Sequence, residues 1–117
     1  MTSDELAELI AQAAADKKAR DVVTIDLRGK TTLADYFVIC EGDTDRQVRA
    51  IVDNIKEVCG TKGVRPLSVI GIDDGGWACA DMDAVIVHVF LPGERTFYDL
   101  EGLWESMPVN EDVIAQA

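Results

Sequence analysis

Apolar residues recur at helical spacing near the start and the middle of the chain, and at strand spacing between and after those stretches. Thr2-Ser3-Asp4-Glu5 has the form of a capping box, and Leu6, Leu9, Ile10 and Ala13 follow on one face, which predicts a first helix running to about Lys18. Lys17, Lys18 and Arg20 at its end complement the carbonyl end of the helix dipole. Val22 to Leu27 reads as a strand, Gly29-Lys30 as a turn, and Asp35-Tyr36-Phe37-Val38-Ile39-Cys40 as a largely buried strand pairing with the first. Thr44-Asp45-Arg46-Gln47 forms a second capping box. Behind it Val48, Ile51, Val52, Ile55, Val58 and Cys59 make the strongest amphipathic stripe in the chain, closing near Gly60 to Gly63.

The second half reads mostly as strands. Pro66 to Ile72 is extended, Asp73-Asp74-Gly75-Gly76 is a turn, Trp77 to Asp81 returns, and Met82-Asp83 links it to Ala84 to Leu91. In that last strand Val85, Val87 and Val89 face one side and Ile86, His88 and Phe90 the other. A Pro-Gly turn then leads into a helix from about Glu94, with Phe97, Leu100 and Trp104 on one stripe and Tyr98, Glu101 and Glu105 on the next. Helix, two strands, helix, three strands and a terminal helix predict an α/β domain: a mixed sheet of about five strands with helices packed on it. Residues 1–108 are expected to form one domain, and 109–117 a polar tail that frays.

Composition narrows the function. With 48% hydrophobic and 28% charged residues the chain is globular, and no apolar run approaches the roughly 20 residues of a membrane span. Met-Thr-Ser-Asp-Glu lacks the basic start of a secretory signal, so a cytoplasmic setting is expected. Cys40, Cys59 and Cys79 are odd in number and lack C-x-x-C spacing; their apolar surroundings predict buried free thiols. Eleven basic against 22 acidic side chains, a formal charge of −11, argue against direct nucleic-acid binding and favour a basic protein partner.

Two kinds of chemistry compete for the remaining features. The aromatic and acidic stripes of the terminal helix suit docking to something basic, because rings supply contact area and carboxylates supply orientation; the same pattern also describes a core helix with a solvated back. Such a surface could equally serve a homodimer. Asp81-Met82-Asp83 could be read as a metal-binding carboxylate pair of a nucleotidyltransferase-like enzyme, but no Gly-rich or basic cradle for a triphosphate accompanies it. His88 is the only histidine, so no His-based metal site or complete nucleophile-and-base set is predicted, and no cofactor is expected.

The ordered set Ala34-Asp35-Tyr36-Phe37-Val38-Ile39, Arg46-Gln47-Val48, Trp77, Asp81, Val85-Ile86-Val87-His88-Val89-Phe90 and Phe97-Tyr98 through Leu100-Glu101 to Trp104 resembles the ribosomal silencing factor, or Iojap-like, family over about residues 6 to 105. The resemblance implies a fold similar to that of nucleotidyltransferases without their chemistry. It also implies a non-enzymatic translation repressor, which docks on large-subunit ribosomal protein fourteen and blocks joining of the small subunit by bulk. Carried over by position, the partner surface would comprise Trp77, Asp81, His88, Arg95, Tyr98, Glu101 and Trp104. Trp77 and Tyr98 would be its anchors, and Asp81 and Glu101 its ion-pair partners, while Trp104 fits core and interface equally. The chain departs from the family pattern at Ile70-Gly71 and Asp83-Ala84, where relatives commonly carry carboxylates. Asp73, Asp74 or Glu94 would have to supply the missing charge.

Overall fold

The computed structural model describes residues 1–71, 76–99 and 102–103, the side chains of 96–98 excepted. Helix α1 (Ser3–Asp16) starts where the capping box sets it: Thr2 Oγ1 accepts the Glu5 N–H, and Glu5 Oε1 accepts the Thr2 N–H. Strands β1 (Arg20–Asp26) and β2 (Tyr36–Glu41) pair antiparallel, with a bulge near Asp21, which takes a left-handed backbone. Helix α2 (Asp45–Gly60) follows. Only half of its predicted box forms in the expected way. Thr44 accepts the Gln47 N–H, but Gln47 Oε1 reaches one residue further back, to the Asp43 N–H.

Strands β3 (Ser68–Ile70), β4 (Trp77–Asp81) and β5 (Val85–Phe90) run antiparallel in sequence, and β5 lies parallel to β2, giving the order β1-β2-β5-β4-β3. The expected mixed five-stranded sheet is therefore present. β3 is shorter than the predicted extended stretch, and the predicted turn at Asp73-Asp74-Gly75 lies outside the described residues.

Both long helices pack on one face. Leu6, Ile10 and Ala13 of α1 and Val48, Ile51, Val52 and Ile55 of α2 meet Val38, Cys40, Ala78, Ala80, Val85, Val87 and Val89 of the sheet. Polar side chains of α2 close the end of α1. Asn54 Nδ2 donates to Ala13 O at 2.8 Å, and Gln47 Nε2 donates to the carbonyls of Lys17 and Lys18 at 3.3 and 3.0 Å, groups that a helix end leaves without intrahelical partners. Cys40 and Cys59 are buried as expected. Cys79 is only half-buried, because it lies on the face turned away from α1 and α2.

Helix α3 (Pro92–Tyr98) differs from expectation in both its start and its end. The Pro-Gly pair is its first turn instead of a preceding loop, since proline at the first helical position needs no hydrogen-bond partner for nitrogen. Asp99 then adopts a left-handed backbone (φ 45°, ψ 46°) and ends the helix. Its carboxylate accepts the Gly102 N–H at 3.3 Å and its carbonyl the Leu103 N–H, starting a new helical turn. The single helix expected from about Glu94 therefore ends at Tyr98, and the predicted stripe from Phe97 through Leu100 to Trp104 lies outside the described side chains.

Candidate docking interface

Strand alternation places Val23, Ile25, Phe37, Ile39, Glu41, Trp77, Cys79, Asp81, Ile86, His88 and Phe90 on the face turned away from α1 and α2. Registers align them in rows. Ile70, Cys79, His88, Ile39 and Val23 run across the five strands, with Ser68, Asp81, Ile86, Phe37 and Ile25 on one side and Trp77, Phe90, Glu41 and Arg20 on the other.

An aromatic group holds the middle of this face. Trp77 stacks on Phe90 with ring centroids 5.1 Å apart, and His88 and Phe37 meet in a T-shaped contact with centroids 4.5 Å apart. Trp77 Nε1 donates to His88 Nδ1 at 3.1 Å. Because an indole can only donate, Nδ1 is the bare nitrogen of the imidazole and the proton sits on Nε2. Nε2 is buried and has no partner among the described residues. Burial also pushes the His88 pKa down, from 6.5 to about 4, so the ring is neutral at physiological pH.

Trp77 is half-buried and marks one end of an open apolar groove of about 510 Å³, lined by Ile70, Gly71, Trp77 and Cys79. Gly71 sits at φ +83°, and a Cβ there would run into the Trp77 carbonyl oxygen, so the close approach of β3 to Trp77 requires glycine. Ile70 and Leu67 on this edge are 64% and 70% exposed.

Two carboxylates lie on this face or at its edge. Asp81 lies on the same face of β4, half-buried. Glu94 of α3 packs beside Gly76, where a Cβ would stand 3.5 Å from its Cγ. Asp83 stands apart from both. It occupies the β4–β5 turn at φ 72°, its N–H donating to Asp81 Oδ1 at 2.9 Å, in the linking position read for Met82-Asp83 from the sequence.

The seven residues singled out by sequence divide into three groups. Trp77 and Asp81 are accessible on the second face. His88 and Arg95 sit beneath the surface, 6% and 8% exposed. Arg95 Nη1 faces Glu41 Oε1 at 3.5 Å, and Arg20 bridges Glu41 and Asp43 at 3.4 and 2.6 Å, so a chain of charges fastens α3 to the ends of β2 and β1. Tyr98 closes α3, but its side chain, like Glu101 and Trp104, lies outside the described residues. Sequence reasoning passed over Phe37, Phe90 and Glu41. The two rings share the alternation of His88. Glu41 ends an apolar strand, and its pairing with Arg95, 54 residues away, leaves no local signal.

The family model described as ribosomal silencing factor during starvation matches residues 1–117. The chain belongs to the ribosomal silencing factor family. This family member is 38% identical over 109 residues to the ribosomal silencing factor of Bacillus subtilis, covering 93% of this chain and 92% of that one. It superimposes on the crystal structure of a Chromobacterium violaceum protein with a TM-score of 0.88 at 31% identity, covering 92% and 90% of the two chains. It is also 30% identical to the mouse protein named mitochondrial assembly of ribosomal large subunit protein 1, covering 97% of this chain and 49% of that longer one. Among the described residues, no helix is long and apolar enough to cross a membrane.

Proposed function

We propose that this family member is a non-enzymatic translation repressor that docks on the large ribosomal subunit through ribosomal protein fourteen and prevents the small subunit from joining. The observation that carries this reading is the half-buried Trp77, set in an apolar groove on the same sheet face as Asp81, with Glu94 packed beside the preceding Gly76, on a chain of formal charge −11. A ring that is already ordered loses little entropy on docking, and nearby carboxylates orient the lysines and arginines of a basic partner. The names of the bacterial relatives and of the mouse protein support a large-subunit partner. Tyr98, Glu101 and Trp104 complete the proposed surface on the strength of the family resemblance, and the protein acts as a single domain over residues 1–108 in the cytoplasm. Inhibition needs only occupancy, since a body of this size on the joining face excludes its competitor by volume.

Glu94 takes over the charge that the departures at Ile70 and Ala84 remove. The alternative of a metal-dependent nucleotidyltransferase gains nothing from the geometry of Asp81 and Asp83, since one carboxylate is engaged by the other residue's backbone within a turn.

Sedimentation tests the reading directly. The protein should comigrate with free large subunits, be absent from joined ribosomes, and lower the yield of joined particles when added first. Trp77→Ala and Tyr98→Ala should each weaken binding by about 2 kcal/mol. Large subunits that still join fully while carrying the protein would refute the blocking step. Metal-dependent heat on titration with nucleoside triphosphate would favour the enzyme.

A further inference from the structure

We propose that His88 is a positioning residue for the docking surface, holding the Trp77 indole through Nδ1 in the orientation that a partner meets. The inference rests on the docking reading above and extends it to a residue that touches no partner. Three observations carry it.

The first is the hydrogen bond itself, 3.1 Å long between Trp77 Nε1 and His88 Nδ1. It fixes one edge of an indole whose face is already stacked on Phe90, and two such constraints leave a half-buried ring little freedom to turn. A ring ordered before docking does not lose that freedom on docking. The second is the way the imidazole is held in turn. It packs against Phe37 in a T-shaped contact with ring centroids 4.5 Å apart, and its strand register places it beside Ile39 and Cys79, so its own orientation is set by neighbours that do not depend on the partner.

The third is Nε2. Once Nδ1 accepts from the indole, Nε2 carries a proton, and that buried donor has no acceptor among the described residues. An unpaired buried donor is costly, and a site walled by Phe37, Ile39 and Phe90 would hold an apolar side chain with no such penalty. Histidine here offers what phenylalanine or leucine cannot, a ring nitrogen that accepts a hydrogen bond. Accepting the Trp77 N–H is a function the geometry displays.

The test separates position from stability. In His88→Phe the unpaired Nε2 donor is removed while the Trp77 N–H loses this acceptor, so the thermal midpoint should change little, while docking to purified large subunits weakens about tenfold. His88→Asn places its Oδ1 near the site of Nδ1, and should recover most of the lost docking whatever its midpoint. In a Trp77→Phe background, with no indole N–H to orient, His88→Phe should cause no further loss. The proposal is overturned if His88→Phe loses stability and docking together, if its effect persists undiminished in the Trp77→Phe background, or if Trp77→Ala weakens docking while His88→Phe leaves it unchanged. If Trp77→Ala itself leaves docking intact, the docking surface is misassigned and the positioning role falls with it, a result distinct from a failure at His88 alone.

Discussion

On the face turned to α1 and α2, the sheet presents Val38, Val85, Val87 and Val89, all fully enclosed, against Ile51, Val52 and Ile55. On the opposite face the same strands present Phe37, His88, Phe90 and Trp77, with a ring nitrogen unpaired among the described residues, a half-buried indole and a half-buried thiol at Cys79. Period-two alternation forces neighbours in one strand to serve both surfaces. The contrast in what they carry shows where the molecule gains its stability and where it accepts costs. Aliphatic side chains interdigitate without polar remainder on the first face. Rings and ionisable groups on the second give directional contacts that a core alone does not need.

Truncation of one isoleucine from each face gives the largest test of this contrast. Ile51→Ala, in the enclosed seam between α2 and the sheet, should lower the unfolding free energy by about 4 kcal/mol through lost burial and a residual cavity. Ile86→Ala, partly open on the second face, should cost only about 1 kcal/mol, because solvent already reaches the site. Denaturant melts of the two variants provide the measurement. Equal losses would mean that the second face is as much a core as the first.

Acid should act through the second face next. His88 titrates near 4 when folded and near 6.5 when unfolded, so between those values the unfolded chain binds the extra proton. The stability present above pH 6.5 is therefore lost progressively as the pH falls toward 4, by about 3 kcal/mol over the whole window. His88→Phe should remove that slope. A difference between wild type and variant that stays constant from pH 7 to 4 would show that burial does not hold the imidazole neutral. Cys40 is no comparable handle, since burial pushes its thiol up to about 12.

How far each face could be read from sequence follows from the range of the signals involved. The first face was legible: Leu6, Ile10 and Ala13, and Val48 through Cys59, are local stripes, and caps at Thr2 and Thr44 mark their starts. The alternation of Val85 to Phe90 gave the sheet its two sides. The second face was legible only as residue types. Its working contacts join positions 11 apart, as in Trp77 and His88, or 54 apart, as in Arg95 and Glu41, and they exist only once the strand order is known. The break at Asp99 escaped for another reason. A left-handed aspartate whose carboxylate caps the following turn has no marker that separates it from a solvated helical aspartate, so the stripe read through it.

The smallest expected effect is the sharpest control on whether the two faces are independent. Thr2 Oγ1 and Glu5 Oε1 each accept a backbone N–H at 3.2 Å at the start of α1, and the Thr2 N–H and hydroxyl, both donating to Glu5 Oε1, lower the Glu5 carboxyl from its ordinary value. Thr2→Ala removes the side-chain acceptor for the Glu5 N–H and should lower stability by about 1 kcal/mol. Nothing in that change reaches Trp77, which lies across the sheet from α1. Binding to large subunits, measured well below the melting temperature, should therefore match wild type within error. A loss of docking in proportion to the loss of stability would show that the second face is held in shape by the marginal stability of the whole chain. The hydrogen bonds and stacking described for it would then not suffice to preorganise it.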